Sequence, residues 1–231
     1  MNNIIVAGSS ALGQALARRL IERDESLTLT YHKRGDSLDW AKAKAHVVRM
    51  DVRSQPSVAK TIDRVGAQGG IGVLVYCAGI VHPGAVEDML PAHWGDTFAV
   101  NVHGAFYAIN AAMPYMLEGS KIVLASSTSG GRACPNWPAY AASKAALTNL
   151  GMSAADALFS RGIRVYILEL GRMRSKLRAD LAPEENAKAE AAAGRLLDPD
   201  EAARFIETLC FSENDYVSGM PIRVHAHNRL S

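Results

Sequence analysis

Tyr140 and Lys144 stand four residues apart in the string Ala139-Tyr140-Ala141-Ala142-Ser143-Lys144. On a helix that spacing puts both side chains on one face, about 6 Å apart at Cβ. A free phenol ionises near pH 10 and is a poor acid at neutral pH, but a neighbouring ammonium stabilises the phenolate. Bringing the phenol to about pH 7 takes roughly 4 kcal/mol of differential stabilisation, which a close lysine and a second cation in a shielded site can supply. With 7 tyrosines in 231 residues, a Tyr-x-x-x-Lys pair also arises readily by chance. Its weight comes from its surroundings, beginning with the hydroxyl-rich run Ser126-Ser127-Thr128-Ser129-Gly130 just before it.

The elements that must position these groups read as alternating strands and helices. Lys121 to Ala125 is a strand with Ser126 and Ser127 at its carboxyl end, where open α/β sheets bind ligands. Pro138 suits the first position of a helix that carries Tyr140 and Lys144 to about Ser160. At the start of the chain, the apolar run Ile4-Ile5-Val6-Ala7 leads into Gly8-Ser9-Ser10-Ala11-Leu12-Gly13, and an amphipathic helix follows from Gln14 to Glu22. Strand, glycine-bearing turn and helix is the setting in which backbone N–H groups cradle a pyrophosphate, so Gly8, Ser9, Ser10, Leu12 and Gly13 are candidate cofactor ligands. A plain turn with Gly8 at positive φ is the bland alternative. The second strand, Leu27 to Tyr31, ends in His32-Lys33-Arg34. An acid there would hold the ribose of NAD; three potential cations instead point to the 2′-phosphate of NADP(H).

A third strand, Ala45 to Met50, delivers Asp51 and Val52, and a helix follows from Gln55 to Val65. A fourth, Gly72 to Cys77, closes on Ala78-Gly79, small residues that let a cofactor pass close by. Thr97 to Met116 reads as one long helix carrying Asn101 between Val100 and Val102. A buried Asn must be satisfied, by backbone in a kinked helix or by a water. Ile163 to Leu170 is a strand followed by Gly171-Arg172-Met173-Arg174-Ser175, and the Ala-rich segment 176–197 makes 172–197 a candidate lid. Pro199 to Phe211 is a helix capped by Asp198, and Tyr216 to Val224 is the last strand. This alternation argues for one α/β domain over 1–231: a doubly wound, Rossmann-type parallel seven-stranded sheet flanked by helices.

Composition narrows the class. Hydrophobic residues make up 48% and charged residues 21%, with a net charge of +2 and no basic run, which gives nucleic-acid binding no support. No apolar run approaches the roughly 20 residues of a membrane span, and no basic segment precedes the first apolar run, so a soluble cytoplasmic protein is expected. Cys77, Cys134 and Cys210 are far apart and show no metal-ligand spacing; no metal site is expected.

Taken together, these residues resemble the short-chain dehydrogenase/reductase family over almost the whole chain, from about Asn3 to Val224. Ser127 precedes Tyr140 by thirteen residues, Tyr140 precedes Lys144 by four, and Asn101 lies before the Ser-bearing strand, as in the family's Asn-Ser-Tyr-Lys tetrad. The resemblance implies that Tyr140 is the general acid in reduction and that Ser127 holds the same carbonyl oxygen. It implies that Lys144 lowers the Tyr140 pKa and binds the nicotinamide ribose, and that Asn101 positions a water of the proton relay. It gives Asp51 and Val52 the adenine, and it places Ala78, Gly79, Tyr140, Gly171, Met173 and Ser175 along the cofactor. Ser127 is preferred to Ser126 for its spacing and its Ser-x-x-Gly context.

There are departures. The turn Gly8–Gly13 is one residue and one glycine short of the family's, and Tyr76-Cys77-Ala78-Gly79 replaces Asn-Asn-Ala-Gly. Leu170 stands for a proline, and His225 and His227 replace the end of the family's pattern. Within the family the chain resembles the 3-oxoacyl-carrier-protein reductases and polyketide ketoreductases. That implies an NADPH-dependent ketone reductase acting on a 3-oxoacyl thioester, carrier-bound in those enzymes, with a free small secondary-metabolite ketone or alcohol as the alternative substrate and a homotetramer (or dimer) as its assembly. Arg161 matches one carrier-docking position, but Glu118 stands at another. A non-catalytic NADP-binding subunit or redox sensor is the reading from another class.

Overall fold

The computed structural model describes residues 1–174, 196–212 and 217–225. Seven strands, β1 (Asn2–Val6), β2 (Leu27–Tyr31), β3 (His46–Arg49), β4 (Ile71–Tyr76), β5 (Lys121–Ser127), β6 (Arg164–Leu170) and β7 (Pro221–Val224), form one sheet in the order β3-β2-β1-β4-β5-β6-β7. Every neighbouring pair is parallel. A parallel sheet needs crossovers that cover both faces, and its inner strands therefore read as continuous apolar runs rather than as alternations. That accounts for Ile4-Ile5-Val6 and for Val73-Leu74-Val75.

Helices α1 (Ala11–Glu22) and α6 (Pro199–Phe211), with a 3₁₀ turn at Asp36–Ala41, cover one face over Ile5, Leu29, Val123 and Leu168. Helices α2 (Gln55–Gly66), α4 (Gly104–Ala112) and α5 (Pro138–Leu158) cover the other over Ile4, Leu74, Ile122 and Leu124. Strand order reverses between β1 and β4, and such a reversal opens a crevice at the strands' carboxyl ends.

The structure corrects several boundaries. The segment 97–116 is not one helix: α3 (Pro91–Phe98) runs into a single π turn at Ala99–His103, then α4, then a 3₁₀ turn at Met113–Tyr115. Pro91 starts the run at an N-terminal position where its missing N–H costs nothing, and Pro114 cannot donate to continue it. Helix α1 begins at Ala11 rather than Gln14, because the Ser10 hydroxyl caps it by accepting the Gly13 amide at 3.0 Å. Strand β5 runs on through Ser127, and β7 begins only at Pro221. Of the candidate lid, residues 175–195 lie outside the described residues, as do Ser175, Tyr216 and His227.

Candidate active site

The last two residues of β5 and the first turns of α5 meet at the crevice. Helix α5 lies close on the sheet because Gly151 faces it: a Cβ there would come within 2.5 Å of Ile167. Lys144 is consequently buried, and its Nζ donates to the Ala125 carbonyl at 2.7 Å. Nζ lies 5.7 Å from the centroid of the Tyr140 ring. Burial pushes the Lys144 ammonium down to about 8, with the neighbouring Cys77 opposing that shift. A lysine held near neutral pH in a cleft is a functional candidate on physical grounds.

The two serines at the end of β5 divide their work. Ser126 Oγ donates to the Lys144 carbonyl at 3.0 Å and shares a hydrogen with Thr148 Oγ1 at 2.8 Å, which ties the strand to α5. Ser127 Oγ accepts the Ser129 amide at 3.1 Å, and among the described residues no acceptor takes its own proton. Ser127 is therefore the hydroxyl able to donate into the cleft.

Asn101 sits in the π turn, fully buried. Its Oδ1 accepts the Ile80 amide at 2.8 Å, while its Nδ2 donates to the Ile80 carbonyl at 3.0 Å and to Ser143 Oγ at 2.9 Å. Ser143 in turn donates to the Tyr140 carbonyl at 2.8 Å. Asn101 thereby joins the loop after β4 to the turn of α5 that bears the phenol. The departure at Tyr76 is accommodated beside it. The buried Tyr76 hydroxyl donates to the Val100 carbonyl next to Asn101, and it fits because Gly104 has no Cβ, which would come within 2.3 Å of that oxygen.

Around these groups lies a cleft of about 590 Å³, within the usual range for a ligand pocket. Ser127, Tyr140 and Lys144 line it, as do Ser9, Ser10 and Leu12 at the start of α1, Gly79 after β4, and Gly171 and Met173 after β6. Gly8 and Gly13 shape the turn from behind: a Cβ on Gly13 would meet the Ala7 carbonyl oxygen at 2.6 Å. Ala7 itself takes a positive φ of 60°, a conformation that glycine adopts without penalty. Ala78 and Val52 pack into the core behind the cleft.

The three cations after β2 separate. Arg34 lines the cleft, whereas Lys33 faces a second hollow with Tyr31 and Asp36. His32 faces Asp51, with Nδ1 3.8 Å from Oδ2. Asp51 accepts from Arg53 through Nε at 3.0 Å, Nη2 at 2.9 Å and the backbone amide at 3.0 Å, and these bonds hold its carboxyl down at about 2.

The residues fit a dinucleotide. The start of α1 offers amides and hydroxyls to a pyrophosphate, and Arg34 offers a guanidinium to a 2′-phosphate. Gly79 leaves a gap that a Cβ would narrow to 3.5 Å from Lys144 Nζ and 3.6 Å from Asn101 Oδ1. Sequence reading missed Cys77, Arg132, Cys134, Asn136 and Trp137, all of which line the cleft. It also missed Ser143, whose bridging role shows only when Asn101 is brought to it.

Comparison with known proteins bears on the family and the fold. A family model described as enoyl-(acyl carrier protein) reductase matches residues 6–226. The cis-4-hydroxycyclohexanecarboxylate dehydrogenase of Sinomonas cyclohexanicum is 31% identical over 233 residues, covering 96% of this chain and 93% of that protein. The 3-oxoacyl-[acyl-carrier-protein] reductase of Salmonella typhimurium is 25% identical over 230 residues, covering 96% and 94%. A short-chain dehydrogenase from Burkholderia cenocepacia, solved in complex with NADP, superposes with a TM-score of 0.89 at 27% identity, covering 97% of this chain and 96% of that one.

Proposed function

The chain belongs to the short-chain dehydrogenase/reductase family of oxidoreductases, and on that premise we propose that it is an NADP(H)-dependent carbonyl reductase with Tyr140 as general acid. When bound, the dihydronicotinamide is the source of hydride. Tyr140 gives its proton to the carbonyl oxygen, and Ser127 donates a hydrogen bond to the same atom as negative charge develops there. The Lys144 ammonium, shielded from water, favours the phenolate that remains. Asn101, through Ser143, fixes the turn of α5 that aims the phenol. NADP(H) over NAD(H) is supported by Arg34 in the cleft, by the lack of an acid at the end of β2, and by the NADP in the Burkholderia relative. Asp51 and Val52 for the adenine, and Gly171 and Met173 for the nicotinamide end, complete the proposed contacts.

The observation that carries this reading is the convergence of a buried Lys144, a helical turn from Tyr140, with the unspent Ser127 hydroxyl in one cleft. Replacing Tyr140 with Phe is expected to lower kcat for ketone reduction by about 10²- to 10⁴-fold while NADPH affinity changes less than about threefold. Unchanged turnover by that variant would remove the proposed acid. NADPH binding by the wild type without turnover of any ketone would favour a non-catalytic subunit or redox sensor.

For the substrate, a free small ketone is the better-supported choice. Arg161 donates to the Met113 and Met116 carbonyls at 3.0 and 3.2 Å, so the cation expected to dock a carrier is engaged within its own fold. A 3-oxoacyl thioester is the second reading, favoured by the Salmonella relative and by the family model's description. Kinetics on carrier-bound and free forms of one ketone separate the two. We also propose a cytoplasmic homotetramer (or dimer) pairing through α4 and α5, whose Phe106 and Met152 are exposed; sedimentation tests it. Among the described residues, no helix is long and apolar enough to cross a membrane.

A further inference from the structure

Four cationic side chains and no carboxylate line the cleft among the described residues: Arg34, Lys144, Arg132 and Arg172. Two already have work. Arg34 stands at the cofactor's 2′-phosphate end, and Lys144 is buried against the Ala125 carbonyl beside Tyr140. Arg132 and Arg172 do not. They follow β5 and β6, on loops that line the same cleft as Ser127 and Tyr140. Nearby arginines are spent on acids: Arg174, after β6, on Asp198 at 3.3 Å, and Arg223, in β7, on Glu169 of β6 at 3.0 Å. Among the described residues, the guanidiniums of Arg132 and Arg172 have no carboxylate partner. The Arg172 carbonyl accepts the Leu197 amide at 2.8 Å, and the Arg132 amide lies 3.5 Å from the Ser129 carbonyl.

A concave site lined by one sign of charge concentrates ligands of the other, and guanidinium is the side chain whose planar donors match a carboxylate. We infer that the carbonyl substrate carries a carboxylate, bound by Arg132 and Arg172 at the end of the cleft away from the cofactor's 2′-phosphate. This rests on the reductase reading and narrows its substrate to a keto acid and the corresponding hydroxy acid. The contact is remote from the reacting carbon and is made equally in ground and transition states. It therefore acts on KM rather than kcat.

The test has two arms on the full chain. In the first, calorimetry on the protein loaded with NADP⁺ compares cyclohexanecarboxylate and hexanoate with their neutral amides. Each acid is expected to bind at least tenfold more tightly than its amide. Arg132→Gln and Arg172→Gln should each remove most of that preference, Arg172→Lys should keep part of it, and NADPH affinity should stay within threefold. Equal binding of acid and amide overturns the inference, as does no detectable binding of either acid. So does a loss of NADPH affinity in place of acid affinity, which would give the arginines to the cofactor. In the second arm, 4-oxopentanoate and longer keto acids are reduced beside their methyl esters. The Gln variants should raise KM for the acids by tenfold or more with kcat and the esters unchanged. Esters turned over as well as acids by the wild type, with Tyr140→Phe inactive on both, would defeat the carboxylate assignment and leave the reductase standing. Normal turnover by Tyr140→Phe would defeat the reductase, whatever the first arm shows.

Discussion

Replacing Lys144 with Met removes the ammonium that the cleft is built around, and the consequence for stability has a definite pH dependence. In the unfolded chain Lys144 titrates near 10.5, whereas burial brings it to about 8 in the folded protein. Between those two values the unfolded chain holds the proton and the folded one does not, so stability rises with pH across that window. Below about pH 8 the folded wild type carries the whole cost of a buried ammonium. The gap from 10.5 to about 8, at about 1.4 kcal/mol per pH unit, makes that cost about 3 kcal/mol. Other titrating groups are common to both proteins, so the informative quantity is the stability of the wild type minus that of Lys144→Met. It should stay nearly level below about pH 7, climb by about 3 kcal/mol between there and 10.5, and level off above. Urea denaturation of the cofactor-free proteins, followed by far-ultraviolet circular dichroism across that pH range, reads it directly. A difference that stays flat to within about 0.5 kcal/mol, where burial requires several times that, would mean that Lys144 is solvated. A difference that falls with pH would mean that an anion, not burial, governs it. Either result refutes a desolvated Lys144 ammonium as the source of the phenol's acidity.

Ser126 and Ser127 should separate function from structure: Ser127→Ala is expected to lower kcat about 10²-fold with little change in melting. Ser126→Ala, which loses its bonds to Lys144 and Thr148, should cost about 1 kcal/mol of stability and keep most of the activity. Denaturation and ketone-reduction assays on both variants check it. Ala7→Gly should stabilise the protein by about 1 kcal/mol, because Ala7 holds a left-handed conformation at φ 60°; thermal unfolding measures the gain.

How much of this was legible beforehand differs by element. The inner strands β1, β4, β5 and β6 read directly, since strands buried on both faces must be apolar throughout. The ends of α5 and α6 read nearly as well, because Pro138, Pro199 and the Asp198 cap are local signals. The run 97–116 did not. A π turn has no composition of its own, and the one at Ala99–His103 follows from tertiary demands: Asn101 bonding to Ile80 and Ser143, and Tyr76 bonding to Val100. The residues 175–195 of the candidate lid, Ser175 included, lie outside the described residues.

The sequence by itself determined the chemistry on offer: a phenol and an amine one helical turn apart, hydroxyls at a strand end, cations where a ribose-binding acid would stand. These are short-range facts, set by helical periodicity and strand termination. Only the tertiary structure decided which hydroxyl is unspent, that Arg34 rather than His32 or Lys33 faces the cleft, and that Lys144 is desolvated. It alone placed Arg132 and Arg172 in the cleft with no acid lining it among the described residues. Desolvation and pairing depend on what the rest of the chain brings within a few ångströms, across the 19 residues from Ala125 to Lys144 and the 42 from Asn101 to Ser143. No local pattern encodes such a distance.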